Sequence, residues 1–381
     1  MMVPTNNKTM FGDWSLEKTV LVTLWRSVVL VVSLVGNTTI MLAINKYHAI
    51  KLGKITTTFI GHLAASDLGV TLFCIGPVLT LSLVKDTSVS DLACSIECFT
   101  CTFLISSSVM LVCMLNICKL ATIHFPLRSR AWTPRTAHAL AGISWAWCCL
   151  STLSYLELDG RTVYYDYRLR CCMVTTVTKT RKWLRVVKLF VGIGMPGILV
   201  ILTTLRILHF AQLQARSHSR ASLQFQSAMT AVSIAITYCL SYTPFFIYLT
   251  IGFFTVSYNE VFSIRSEKTG AIDQLIIVEY DKSGAPMSGF LYKDFYLVAS
   301  LFTFLHTGAN FFIYMASITS FRVFILRRVA LFLCRRSATM RLFAVQGFLQ
   351  RRTDTEQILR HYVSRYLASS ERSRSTRDTA V

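Results

Sequence analysis

Charge is what this sequence has least of. Only 15% of its 381 residues are Asp, Glu, Lys or Arg, where a soluble domain carries about a quarter. Four stretches hold none at all: residues 136–156, 189–205, 221–259 and 295–321. Three more hold one each: Arg26 within 19–45, Asp67 within 55–84 and Glu97 within 92–118. A hydrocarbon core of about 30 Å takes roughly 20 apolar residues of helix, and six of these stretches reach that length. The short one, 189–205, gains it from 183–188. The pattern excludes a water-soluble domain and gives seven spans, near 20–45, 57–84, 92–122, 136–156, 184–212, 225–256 and 295–317.

Acids are missing in a second, more informative way. The loops at 46–54, 119–135 and 206–220 carry Lys and Arg but no Asp or Glu, whereas the opposite loops mix both signs. The positive-inside rule places those three loops and the arginine-rich C-terminal region in the cytoplasm and residues 1–19 outside, as in a multi-pass plasma-membrane protein. The first apolar run is too long for a signal-peptide core. The net charge of +20 then belongs to a face opposite anionic lipid, and no nucleic-acid partner is needed to explain it. Neither HExxH nor GxSxG occurs, which argues against an intramembrane hydrolase. No internal repeat and no path of intramembrane charges supports a transporter.

What is present lies mainly at the edges. Asn7-Lys8-Thr9 is a glycosylation sequon on the outer tail. The outer loop at 157–188 holds eight basic and three acidic residues, with β-like runs around Arg168. The loop at 258–294 contains LIIVEY beside the turn-rich DKSGAP and reads either as a hairpin lid or as a polar loop. Residues 319–335 alternate Phe and Ile with arginines, as an interfacial helix does, and Cys334 suits palmitoylation. The tail, 336–381, ends with Thr379 and Val381, the form of a PDZ ligand. Cys94 opens span three on the oxidising side. It can bridge to Cys171 or Cys172, since neighbours on a strand point opposite ways, and Cys98 either takes the second or leaves it a free thiol. Asp67 is the one acid in the middle of a span, so it marks an ion or proton site or a carboxylate satisfied by Ser and Asn.

Taken in order, these residues resemble the rhodopsin-like (class A) family of G-protein-coupled receptors over nearly the whole chain. Gly36-Asn37, Leu63 to Asp67, Cys94, Trp145 or Trp147, Pro196, Pro244 and Asn310 to Tyr314 each match that family's motif on its own span. The resemblance implies an all-α membrane fold, a seven-transmembrane helix bundle with an interfacial eighth helix, and no enzyme activity. It also implies coupling of an extracellular ligand to a heterotrimeric G protein through Lys119, Pro126, Leu127, Pro244, Asn310 and Tyr314, with arrestin as a further partner. A sodium site maps onto Asp67, Ser108 and Asn310, and no other cofactor is implied.

The departures are specific. Cys118-Lys119-Leu120 replaces Asp-Arg-Tyr, Tyr242 replaces the tryptophan two before Pro244, Phe311 replaces a proline, and Thr204 replaces a tyrosine. Lys119 keeps the charge of the arginine but not its planar fork. That leaves a receptor-like protein without ordinary coupling, a decoy or arrestin-linked, as the alternative. Cys101 stands where amine receptors carry an aspartate, and Phe304 where opsins carry their lysine. A peptide fits best, with Glu97 at the mouth and Cys101, Tyr242, Phe245 and Phe246 lining the pocket.

Overall fold

The computed structural model describes residues 16–50, 52–83, 89–129, 131–153, 163–166, 171–174, 187, 190–216, 223–255, 258–265, 272–280, 298–299 and 301–336. Helix α1 (Leu16–Asn45) is followed by α2 (Lys54–Val70), a π-helical turn (Thr71–Ile75) and α3 (Gly76–Leu83). Then come α4 (Asp91–His124), the single turn α5 (Pro126–Ser129) and α6 (Pro134–Thr152). Strands β1 (Val163–Asp166) and β2 (Cys171–Val174) precede a second π-helical turn (Phe190–Gly194), α7 (Met195–Arg216) and α8 (Leu223–Thr255). Strands β3 (Tyr258–Arg265) and β4 (Ile272–Tyr280), α9 (Leu305–Ser317) and α10 (Thr319–Arg336) complete the order.

Local chemistry sets several boundaries. The Ser90 hydroxyl accepts the Ala93 N–H at 3.3 Å and starts α4. At α6, Thr133 and Thr136 form a reciprocal capping box, and Pro134 takes the first turn, where its missing N–H costs nothing. The chain enters α2 through Gly53, whose φ of 93° only glycine adopts readily. Pro244 lies inside α8, where it removes a ladder hydrogen bond.

The helices close into a ring around α4, which packs on α2, α6, α7 and α8, while α1 joins α2 on one side and α9 on the other. Two glycines allow close approach. A Cβ on Gly36 would lie 2.9 Å from Phe311 Cβ, and one on Gly69 would lie 2.8 Å from Leu104 Cδ2. Gly36 therefore lets α1 meet the residue that stands in place of the usual proline.

Among the described residues, five helices are long and apolar enough to cross a membrane: Val20–Asn45, Lys54–Leu81, Leu92–His124, Phe190–Leu213 and Phe225–Tyr248. The pair Leu301–Ser317 and Thr319–Val329, interrupted at the extended Ile318, adds a sixth if taken as one span. The sequence suggested seven. The fourth stretch forms α6, only 19 residues long and diluted by Arg135, His138 and several Ser and Thr. Part of the seventh falls outside the described residues.

Both antiparallel ribbons lie in loops. β1 pairs with β2, Tyr165 opposite Cys172, and β3 pairs with β4, Tyr258 opposite Tyr280. The loop at 258–294 thus contains a hairpin rather than only polar coil. From Arg322 onward α10 belongs to a second unit, in which Arg328 lies over the Phe324 ring at 5.6 Å.

Candidate functional site

The disulfide joins Cys94 to Cys172, with Cα atoms 5.2 Å apart. This resolves the choice between Cys171 and Cys172. Cys172 and Val89 pack against the buried pair Cys94 and Cys98, and Cys98 is not disulfide-bonded. The bridge pins the β1–β2 ribbon to the first turn of α4.

Inside the ring, Asp67 is fully buried, and three donors reach its carboxylate. Asn310 Nδ2 donates to Oδ2 at 2.6 Å, Ser108 Oγ to Oδ1 at 3.1 Å and Tyr238 OH to Oδ1 at 3.2 Å. Burying a carboxylate is costly unless such bonds replace its hydration. The donors come from α9, α4 and α8, so one side chain of α2 fixes the spacing of three other helices. Asp67, Ser108 and Asn310, which the sequence pointed to as one set, lie together here through these hydrogen bonds.

Two members of this cluster were not foreseen. Tyr238 is four residues before Tyr242 and shares its face of α8. His306 is four residues before Asn310 and shares its face of α9. His306 Nδ1 lies 2.7 Å from Thr303 O. A carbonyl only accepts, so Nδ1 carries the proton and a neutral ring presents a lone pair at Nε2. Tyr242 OH, 3.3 Å away, donates to it, while Asp67 Oδ1 stands beyond hydrogen-bond range at 3.7 Å. The rings of Tyr238, Tyr242 and His306 pack at centroid distances of 4.6 to 5.9 Å. Tyr238 is therefore the link to the carboxylate: its ring packs on Tyr242 and His306 while its hydroxyl donates to Asp67.

A second polar set adjoins it. Asn37 Nδ2 donates to Thr307 O at 2.8 Å and to Ser33 Oγ at 3.1 Å. Ser33 pairs with Thr71, whose hydroxyl donates to Asp67 O at 2.6 Å. The Oδ1 atoms of Asn37 and Asn310 are buried without a hydrogen-bond partner. Spare buried oxygens beside a carboxylate and a hydroxyl are the ligand type that a small hard cation takes.

Toward the disulfide end, Cys101 Sγ donates to Phe73 O at 3.7 Å, and Cys101 packs against the cluster of Val70, Cys74 and Leu104. Glu97, one turn away, is partly buried. On α8, Phe245 stacks on Tyr248 at 6.4 Å, and Phe245 and Phe246 are both partly buried. At the basic end, Lys119 is only 7% exposed, and no carboxylate among the described residues pairs with it. Its neighbours Leu120 and Ile123 pack on Ile207, Ala228 and Val232, drawing α4, α7 and α8 together. Thr230 Oγ1 donates to Ser317 Oγ at 3.0 Å, and the Thr56 and Ser227 hydroxyls meet at 3.5 Å. Asn116 Nδ2 donates to Thr204 Oγ1 at 2.9 Å. This end is held by hydroxyl and amide bonds and apolar packing rather than by an ion pair at Lys119. Beyond it, Leu127, next to Pro126 on α5, is 77% exposed. Tyr314 is buried, edge-on to Phe321.

Asn7, Thr379 and Val381 lie outside the described residues, and Cys334 falls in the last turns of α10.

Comparison with known proteins gives a consistent picture. The sequence profile of the family described as 7 transmembrane receptor (rhodopsin family) matches residues 36–278. A cholecystokinin receptor of Xenopus laevis is 26% identical over 183 residues, 46% of this chain and 39% of that protein. The cholecystokinin receptors type A of Cavia porcellus and Homo sapiens are each 28% identical over 127 residues, 33% of this chain and 29% of theirs. The chain thus covers at most about two fifths of the length of these curated relatives.

Proposed function

Because the chain belongs to the rhodopsin family of seven-transmembrane receptors, a family of receptors and not of enzymes, we propose that it binds an extracellular peptide and passes the signal to a heterotrimeric G protein. The N-terminus then faces outward from the plasma membrane. The observation that carries this reading is the polar line from Tyr242 and His306 through the ring-packed Tyr238 to Asp67 and Asn310. It connects a side chain at the floor of the proposed ligand pocket with the centre of the bundle, so a displacement of α8 by ligand changes the hydrogen bonds of the core. Similarity to cholecystokinin receptors favours a peptide. Glu97, Cys101, Tyr242, Phe245 and Phe246 are the proposed contacts.

At the basic end, Lys119, Pro126, Leu127 and Tyr314 are the proposed coupling residues, with Pro244 and Asn310 as switching positions. Exposed Leu127 offers an apolar knob to a partner, and Lys119 becomes accessible once α4 and α8 separate. Asp67, Ser108 and Asn310 would hold a sodium ion, which supplies positive charge at the carboxylate when bound. Arrestin, a PDZ protein at Val381 and lipid on Cys334 belong to the same proposal. A screen of a peptide library in cells expressing a promiscuous G protein tests it: a hit lost in Tyr242→Ala supports the reading. Silence from a chain proven to be at the surface contradicts it.

A second reading has one specific observation behind it. Lys119 is buried beside neutral Cys118, so the local carboxylate restraint on the coupling residue is absent. The chain then either binds ligand without exchange on G proteins, as a decoy or arrestin-linked receptor, or signals with raised basal activity. Nucleotide exchange on a panel of purified G proteins separates the two.

A further inference from the structure

Two histidines stand apart from the polar core. His62 is on α2 and His138 on α6, and these helices pack against one another. His62 Nε2 and His138 Nδ1 are 2.9 Å apart. The ring centroids are 5.1 Å apart, with planes inclined at 71°. His138 is exposed and His62 partly buried, so the pair opens sideways on the bundle surface.

Two imidazole nitrogens that converge across one proton are close to the geometry of a chelate. Around tetrahedral zinc, with Zn–N bonds of about 2.0–2.1 Å, adjacent nitrogens stand roughly 3.3–3.4 Å apart. Opening the pair by about half an ångström reaches that separation. The donor ring moves its N–H to the outward nitrogen, and each ring then presents one lone pair to the ion. No net proton is lost from the neutral pair. Each ring hangs from a separate packed helix, so little order must be created on binding.

Location supports access. His62 is eight residues into α2 and His138 four into α6, about 12 Å and 6 Å from the basic ends of their helices. That depth is near the boundary between headgroups and hydrocarbon, within reach of the aqueous phase.

We propose that His62 and His138 together form a binding site for one divalent transition-metal ion of the zinc type. Imidazole suits zinc and its neighbours and is a poor ligand for calcium or magnesium. Among the described residues, no third His, Cys, Asp or Glu completes a metal cluster. Water or an inner-leaflet phosphate oxygen fills the remaining positions, which makes the ion exchangeable. Once bound, it fastens α2 to α6. This site is independent of the proposed ligand pocket.

The test uses the full chain purified into phosphatidylcholine nanodiscs, with zinc chloride against EDTA. Zinc raises the unfolding midpoint of the wild type, and cobalt gives a ligand-field absorption band. Both responses are lost in His62→Ala and in His138→Ala, whose midpoints in EDTA show whether they remain folded. His62→Gln and His138→Gln serve if the alanine variants do not purify. The double variant His62→Cys/His138→Cys regains the zinc response, because thiolates also bind zinc. The chain has eight histidines. A zinc response unchanged in either single variant, or none in the wild type, overturns the proposal.

Discussion

Glu97 and Lys119 sit on the same helix, α4, 22 residues apart (119 − 97). That spacing is about 33 Å of rise and about six turns, which brings the two side chains to within roughly 40° of the same face. Glu97 is partly buried at the disulfide end and Lys119 buried at the basic end. Neither has an ion-pair partner among the described residues. Among the described residues, α4 thus carries one charge of each sign without an ion-pair partner, Glu97 toward its disulfide end and Lys119 toward its basic end.

Removing the inner charge should stabilise the resting structure. Lys119→Met keeps most of the apolar stem and abolishes the buried ammonium. The expected result is a rise in the unfolding midpoint, measured in nanodiscs, of about 2 °C or more. A fall of that size would show that Lys119 has a stabilising partner.

Tyr242 and His306 should be energetically coupled. Tyr242→Phe and His306→Ala each remove one side of the 3.3 Å contact. A double-mutant cycle on thermal or denaturant stability should give a coupling of about 1 kcal/mol. Additive losses would mean that the contact carries no energy and that the polar line is broken at this point.

Asp67→Asn should abolish sensitivity to sodium. Wild-type stability in sodium chloride should exceed that in choline chloride at equal ionic strength, and the variant should show no difference. An equal sodium effect in both would remove Asp67 from any cation site.

Gly36→Ala should destabilise by about 1–3 kcal/mol, because its Cβ would fall 2.9 Å from Phe311 Cβ. Phe311→Ala should not rescue it, since the nearest atom is the Cβ that alanine retains, whereas Phe311→Gly should. Rescue by alanine would place the clash on the ring instead.

How far the residues announced this arrangement differs from place to place. Asp67 stood out as the one acid in the middle of a span, and Ser108 and Asn310 joined it through the family resemblance. Tyr238 and His306 did not, although each sits four residues from a residue that did. A helical period says which residues share a face, but not which face of another helix comes opposite, and only packing brought His306 between Tyr242 and Asp67. The choice of Cys172 over Cys171 likewise depended on the placement of a strand against α4. The fourth span was legible only as an absence of charge, and its helix proved short and less apolar than the others. Lys119 was legible as a departure from the family triplet, but its depth of burial was not.

The most direct measurement of the account is nucleotide exchange on a panel of purified heterotrimeric G proteins, with the full chain in nanodiscs and without ligand. Wild type and Lys119→Arg should both drive exchange above receptor-free nanodiscs on at least one G protein, with Lys119→Ala at background. Exchange at background for all three proteins, across the panel, would contradict a weakly latched receptor that couples through Lys119.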